Sequence, residues 1–208
     1  MRQRLFRAAA LILAAATVAA CDGRGTTGPG VPLSAADAAS LSRALFTLGA
    51  DLADAGVPAG ARGNKRVLAN GATTFTFSFE TSQPCTPSGN VGLAGAISGA
   101  ADATAQAAEV QLNVAVKHNG CTVSTDNGGM FKLTGDPKID LVLAAAAGPS
   151  GLTALHLTEV GAFTWDRGSG STGRCSVDLV ADLVPGTQNV RLSGTFCGFS
   201  IDQTVPTG

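Results

Sequence analysis

The chain has 208 residues, 14 basic against 15 acidic, with only 14% charged, and it carries 27 Gly, nine Phe, one Trp and no Tyr. With no basic excess there is no phosphate-neutralising surface, which argues against a nucleic-acid partner. The length suits one folded unit with a real core, and many turn residues with few helix-surface formers point to β structure.

Met1 to Arg7 hold three arginines and no acid, and Ala8 to Ala20 is an uncharged run of 13 residues. That is the layout of an export signal, and the run is short of the roughly 20 residues a helix needs to span a bilayer. It closes on Val18-Ala19-Ala20-Cys21, which resembles the lipobox of bacterial lipoproteins. The resemblance covers residues 1–21 and implies cleavage before Cys21, diacylglycerol on its sulfur and often a third, palmitate-type chain on the new amino group. Two or three acyl chains hold a protein stably where one does not. The implied location is the cell envelope, lipid-anchored to a bacterial membrane and facing the periplasm or the exterior. Asp22 leaves inner and outer membrane open. Loss of the leader removes three of the 14 bases, so 11 face 15 acids and the mature charge is −4.

Residues 1–20 are therefore read as signal peptide, 21–33 as a flexible Gly/Pro/Thr tether, and 34–208 as a single domain. Ser34-Ala35-Ala36-Asp37 has the form of a capping box, and Leu41, Leu45, Leu48 and Leu52 place one apolar stripe on a helix over about residues 34–55, stopped by Gly56 and Pro58. This amphipathic helix is expected to pack on the domain. A loop holding Arg62, Lys65 and Arg66 follows.

From there the period changes to two. Phe75, Phe77 and Phe79 alternate with polar residues; so do Val110, Leu112, Val114 and Val116, and later Cys175, Val177, Leu179, Ala181 and Leu183. Half-buried antiparallel strands have this pattern. Turns are expected at Asn70-Gly71, Asn119-Gly120, Asn127-Gly128-Gly129, Gly135-Asp136-Pro137, Gly148-Pro149-Ser150-Gly151 and Pro185-Gly186. The Ala-rich stretch from Ala100 to Glu109 is read as the far end of a long hairpin. The fold class is mainly β: a meander of eight or more strands closing into a barrel or sandwich, with the N-terminal helix packed on it.

Four cysteines besides Cys21 in an exported chain make two disulfides the default. Cys175 and Cys197 are symmetric about Gly186, which pairs them across a hairpin. Apolar alternation prefers Val177 opposite Phe196, which puts Cys175 opposite Gly198, so a bulge at Gly194 or Gly198 is expected to restore the register. Cys85 and Cys121 then fall at one end of the meander, giving Cys85–Cys121 and Cys175–Cys197.

Groups for catalysis are scarce: two histidines and no Tyr. His118, beside the expected turn at Asn119, could pair with a Cys121 thiolate, but an oxidised Cys121 and a solvated histidine fit better. His156 falls on the polar side of its strand. Gly168 to Gly173 fits G-x-G-x-x-G, yet a strand follows instead of a helix, so it reads as a hairpin loop. Asp136 and Asp140 read as solvated carboxylates flanking a turn. No metal site and no cofactor is implied. A non-enzymatic structural or partner-binding envelope domain, docking an unknown envelope protein, accounts for these features. The alternative is a carrier with an apolar ligand against Phe75, Phe77, Phe79, Phe163 and Trp165, the helix acting as lid. An enzyme comes third.

Overall fold

Period-two alternation becomes sheet throughout the second half of the chain. The computed structural model describes residues 33–54, 62–68, 72–168 and 170–206, with the side chains of the first helix described as far as Phe46. The leader, Cys21, the tether, Gly56, Pro58, Asn70-Gly71 and the side chains of Leu48 and Leu52 lie outside the described residues.

The elements are α1 (Ala35–Asp54), β1 (Arg62–Val67), β2 (Ala72–Pro84), β3 (Asn90–Asp102), β4 (Ala107–Ser124), β5 (Met130–Gly148), β6 (Gly151–Asp166), β7 (Thr172–Leu183), β8 (Asn189–Phe196) and β9 (Phe199–Pro206). Among the described residues all nine strands form one antiparallel sheet in sequence order, a pure meander. Each hairpin is local, so the strands pair without a crossover.

The expected closure into a barrel or sandwich is not found. β1 pairs only with β2 and β9 only with β8. The sequence of β1, Arg-Gly-Asn-Lys-Arg-Val, is exposed along its whole length. Three basic residues on an edge discourage further pairing, because joining a neighbour would crowd and desolvate their charges. This segment was expected to be a loop. It is a strand without alternation, since neither of its faces is buried.

Two expected turns are instead bulges inside long strands. Asn119-Gly120 lies within β4, where the register against β5 shifts between Val116 and Cys121, and Gly135-Asp136-Pro137 lies within β5 at the same level. Gly120, at φ 64°, uses the positive φ that a tight turn would also have required. Residues 127–129 and 149–150, Pro185-Gly186 and the end of the β3–β4 hairpin near residues 103–106 do connect strands.

The helix begins as its capping box implies. The Asp37 amide donates to Ser34 Oγ at 3.1 Å, and Ser34 Oγ donates to Asp37 Oδ2 at 2.6 Å. Leu41 and Leu45 are buried, with Ala38 and Phe46, in one core with the sheet. The start of α1 is tied to two connections at one end of the sheet. Asp37 pairs with Arg167 at 2.5 Å, Arg43 pairs with Asp126 at 2.6 Å, and Ser40 donates to Asp126. Further along, Gln203 of β9 donates to Ser42 Oγ at 3.0 Å and accepts from Arg43 at 3.0 Å. Among the described residues no helix is long and apolar enough to cross a membrane.

Candidate functional site on the inner face of the sheet

The face of the sheet that carries α1 is its inner face, and the strand registers arrange its side chains in rows. One row, read across from β2 to β9, is Phe79, Gly95, Val114, Leu141, Glu159, Leu179, Gly194 and Ile201. The row above it is Phe77, Ile97, Leu112, Leu143, Leu157, Ala181, Leu192 and Gln203. Gly194 lets β8 come in close, at φ 130°; a Cβ there would lie 2.2 Å from the Asp178 carbonyl oxygen.

The two ends of this face differ. At the end near the start of α1, Phe131, Leu133, Phe163 and Phe196 are wholly buried. Phe163 lies 5.8 Å from Phe196 and Trp165 lies 6.0 Å from Phe131, edge to face, with the Arg167 guanidinium 4.6 Å above the Phe131 ring. Such ring pairs fill space with favourable quadrupole geometry. At the other end Phe75, Phe77, Phe79, Leu112, Leu143 and Leu155 are only half-buried, whereas Leu157, Ala181, Val190, Leu192 and Val205 in the same rows toward β9 are buried. The five aromatic residues that the alternative carrier reading assigns to a ligand are thereby split: Phe163 and Trp165 belong to the packed core, while Phe75, Phe77 and Phe79 sit on the less covered part, with Phe75 and Phe77 stacked at 5.9 Å.

Two titratable groups stand on this apolar face. His118 lies on β4 beside Val91 of β3, 2% exposed, its ring 6.3 Å from that of Phe163. Among the described residues its Nδ1 has no hydrogen-bond partner, and burial lowers its pKa to about 4, so it is neutral. The expected solvated histidine is thus corrected. With Asn119-Gly120 a bulge and not a turn, β4 runs on past His118 and keeps it on the inner side.

Glu159 is the second, a residue that no sequence motif marks. It is 6% exposed, between Leu141 of β5 and Leu179 of β7. No ion pair or hydrogen bond reaches its carboxyl among the described residues, and burial alone raises its pKa to about 7. The signal was present in β6: Leu155, Leu157, Glu159, Gly161, Phe163 and Trp165 share one parity. The acid interrupts an otherwise apolar set.

The other candidates are structural or solvated. Cys85–Cys121 joins the β2–β3 connection to β4, with Cα atoms 5.4 Å apart, and Cys175–Cys197 joins β7 to the β8–β9 turn at 4.3 Å. The expected register of Val177 opposite Phe196 is present, but no bulge brings Cys197 across. Cys197 instead leaves the strand in a two-residue turn with Gly198, at φ 53° and 84°, and its amide donates to the Ser176 carbonyl. His156, on the outer face, lies 2.7 Å from Asp182. Asp136 and Asp140 pair with Arg174 and Lys138, and residues 167–171 connect β6 to β7. Among the described residues no group of three or more His, Cys, Asp or Glu is placed to hold a metal ion.

The chain matches no protein-family model, no curated protein and no solved structure.

Proposed function

We propose that this chain is a lipoprotein of the bacterial cell envelope, anchored through acyl chains on Cys21, and that its sheet is a non-enzymatic module binding an apolar ligand on the half-buried part of the inner face. The anchor rests on the charged start, the short apolar run and the lipobox-like Val18-Ala19-Ala20-Cys21. Two disulfides fit an oxidising compartment.

The binding half rests on one observation: a single apolar face is filled by its own side chains over most of its area and only half covered at one corner, along β2 to β5. Exposed apolar surface in water is unfavourable by roughly 25 cal/mol per Å², so an apolar occupant gains by covering it. Helix α1 starts over the packed end and reaches Gln203 of β9 by Ser42, and in this reading it closes the site on the β9 side. A protein partner on the outer face has less to rest on. There Val142 and Val160, diagonal neighbours on β5 and β6, are large exposed apolar residues among the acidic and polar ones, and isolated residues of this kind are ordinary surface.

Anchoring is tested by metabolic labelling with palmitate and detergent-phase partitioning. Cys21→Ser is expected to abolish both; a variant equally labelled and equally membrane-bound refutes the anchor. Ligand binding is tested on the exported Cys21→Ser chain with the neutral apolar dye N-phenyl-1-naphthylamine, alongside mass spectrometry of co-purifying lipids. Saturable binding near one equivalent, weakened by Phe77→Ala, is the expected result. Absence of both dye binding and co-purified lipid refutes it.

A further inference from the structure

From the isolation of its carboxyl, we infer that Glu159 is the head-group contact of this site and that the preferred occupant is an apolar molecule ending in a protonated amine. The inference rests on the apolar-ligand reading above. Glu159 lies at the border of the half-buried corner: Leu141 and Leu143 on its β5 side are half-buried, while Leu157, Leu179 and Ala181 are buried. On the packed side the next row holds Ile139 and Val177; on the other side it holds Leu143, Leu157 and Ala181. A molecule lying along Phe75, Phe77, Ile97, Leu112 and Leu143 would bring its end to this carboxyl.

Buried polar side chains in folded proteins nearly always have partners, because an unpaired one forfeits its hydration for nothing. Glu159 is 94% removed from solvent and has no partner among the described residues. A core serving only stability would be as well served by Leu at this position, as its neighbours Leu141 and Leu179 are. A metal ion is a poor occupant, since one carboxylate supplies one of the several ligands it requires. An ammonium group on an apolar chain meets both requirements. It supplies the donors and the countercharge the carboxylate lacks, and its chain covers the half-buried residues.

Among the described residues no other charge lies beside this position. Facing Glu159 are Leu141 on β5, Leu179 on β7, and Leu157 and Gly161 on its own strand; further along the row are Val114 on β4, Gly194 on β8 and Ile201 on β9. His118 is the nearest titratable residue on this face, two rows toward the packed end, and it is neutral. On the described part of α1, Asp37 is engaged by Arg167, and Arg43 by Asp126 and Gln203.

The test displaces N-phenyl-1-naphthylamine from the exported full chain carrying Cys21→Ser, using decylamine, decanol and decanoate below their micellar concentrations. Decylamine is expected to bind at least tenfold more tightly than decanol at pH 8, and decanoate more weakly than either. Glu159→Gln should lose the preference for decylamine over decanol. In the parent protein the preference should fade from pH 8 to pH 5, as the carboxyl takes up its proton while the amine stays charged. This second reading holds whether or not the variant folds. Dye binding with no amine preference, or a preference that persists at pH 5, overturns the head-group inference and leaves apolar binding standing. Failure of the dye to bind the parent protein, with no lipid co-purifying, overturns both.

Discussion

Replacing Glu159 by Gln should change the shape of the stability–pH curve, and the change follows from two buried groups that oppose each other. Glu159 has an ordinary value of 4.5 raised to about 7, and His118 an ordinary value of 6.5 lowered to about 4. A raised carboxyl contributes stability that is full below pH 4.5 and lost as pH climbs through 7. A lowered imidazole contributes stability that is full above pH 6.5 and lost as pH drops through 4. Between pH 4.5 and 6.5 the unfolded chain holds one proton on the histidine, and the folded chain holds one on the glutamate. The proton counts match, so this pair gives no slope there. Removing the titrating carboxyl exposes the histidine alone. At 1.36 kcal/mol per unit, the variant should gain about 3 kcal/mol between pH 4 and pH 6.5, whereas the parent gains well under 1 kcal/mol from these two groups. Urea unfolding at half-unit steps from pH 4 to 8, disulfides intact, measures both curves. All other groups are common to the two proteins and cancel in the difference. If the curves are parallel from pH 4.5 to 6.5, Glu159 is not the isolated acid described here.

Other perturbations test the packing. Phe163→Ala should cost about 3–5 kcal/mol in urea unfolding, as expected for a wholly buried ring, and Phe77→Ala under half of that. Equal losses would mean that the two ends of the face are packed alike. Cys175→Ser with Cys197→Ser, opening a link between residues 22 apart, should cost about 3 kcal/mol by restoring unfolded-chain freedom; an unchanged urea midpoint would count against it. Asp37→Ala removes a capping residue that also holds Arg167, and should cost about 1 kcal/mol. Loss of helical circular dichroism before the sheet unfolds would locate that cost in α1.

Much of the strand framework was legible because one side of each strand meets water and the other meets the core. β2, β4 and β7 alternate visibly, and the Ala-rich stretch at 100–109 folds as the expected hairpin end. The capping box marked the start of α1 for the same local reason: Ser34 and Asp37 satisfy each other within one turn. Local chemistry was less decisive where one signal serves two structures. Asn119-Gly120 supplies a positive φ to a hairpin or to a bulge, and Gly135-Asp136-Pro137 interrupts a ladder without ending a strand. β1 shows no alternation, because an edge exposed on both faces imposes none.

The two readings most relevant to function needed the assembled sheet. The parity of β6 puts Glu159 among apolar residues, but parity cannot say whether a cation, a hydroxyl or water waits across from it. That depends on Leu141 and Leu179, brought alongside from residues 18 and 20 positions away by the registers of β5 and β7. Likewise the alternation of Phe75, Phe77 and Phe79 gives them the same apolar standing as Phe163 and Trp165. The placement of α1 against β4, β8 and β9, fixed by Asp37, Arg43 and Ser42 reaching Arg167, Asp126 and Gln203, covers that side of the face and leaves the first group, on β2, half-buried while the second lies in the closed core. The sequence by itself determined which residues share a face, since that is set by a repeat of two along a single strand. Which part of the face is covered depends on contacts between residues as far as 164 positions apart, and no local period carries that information.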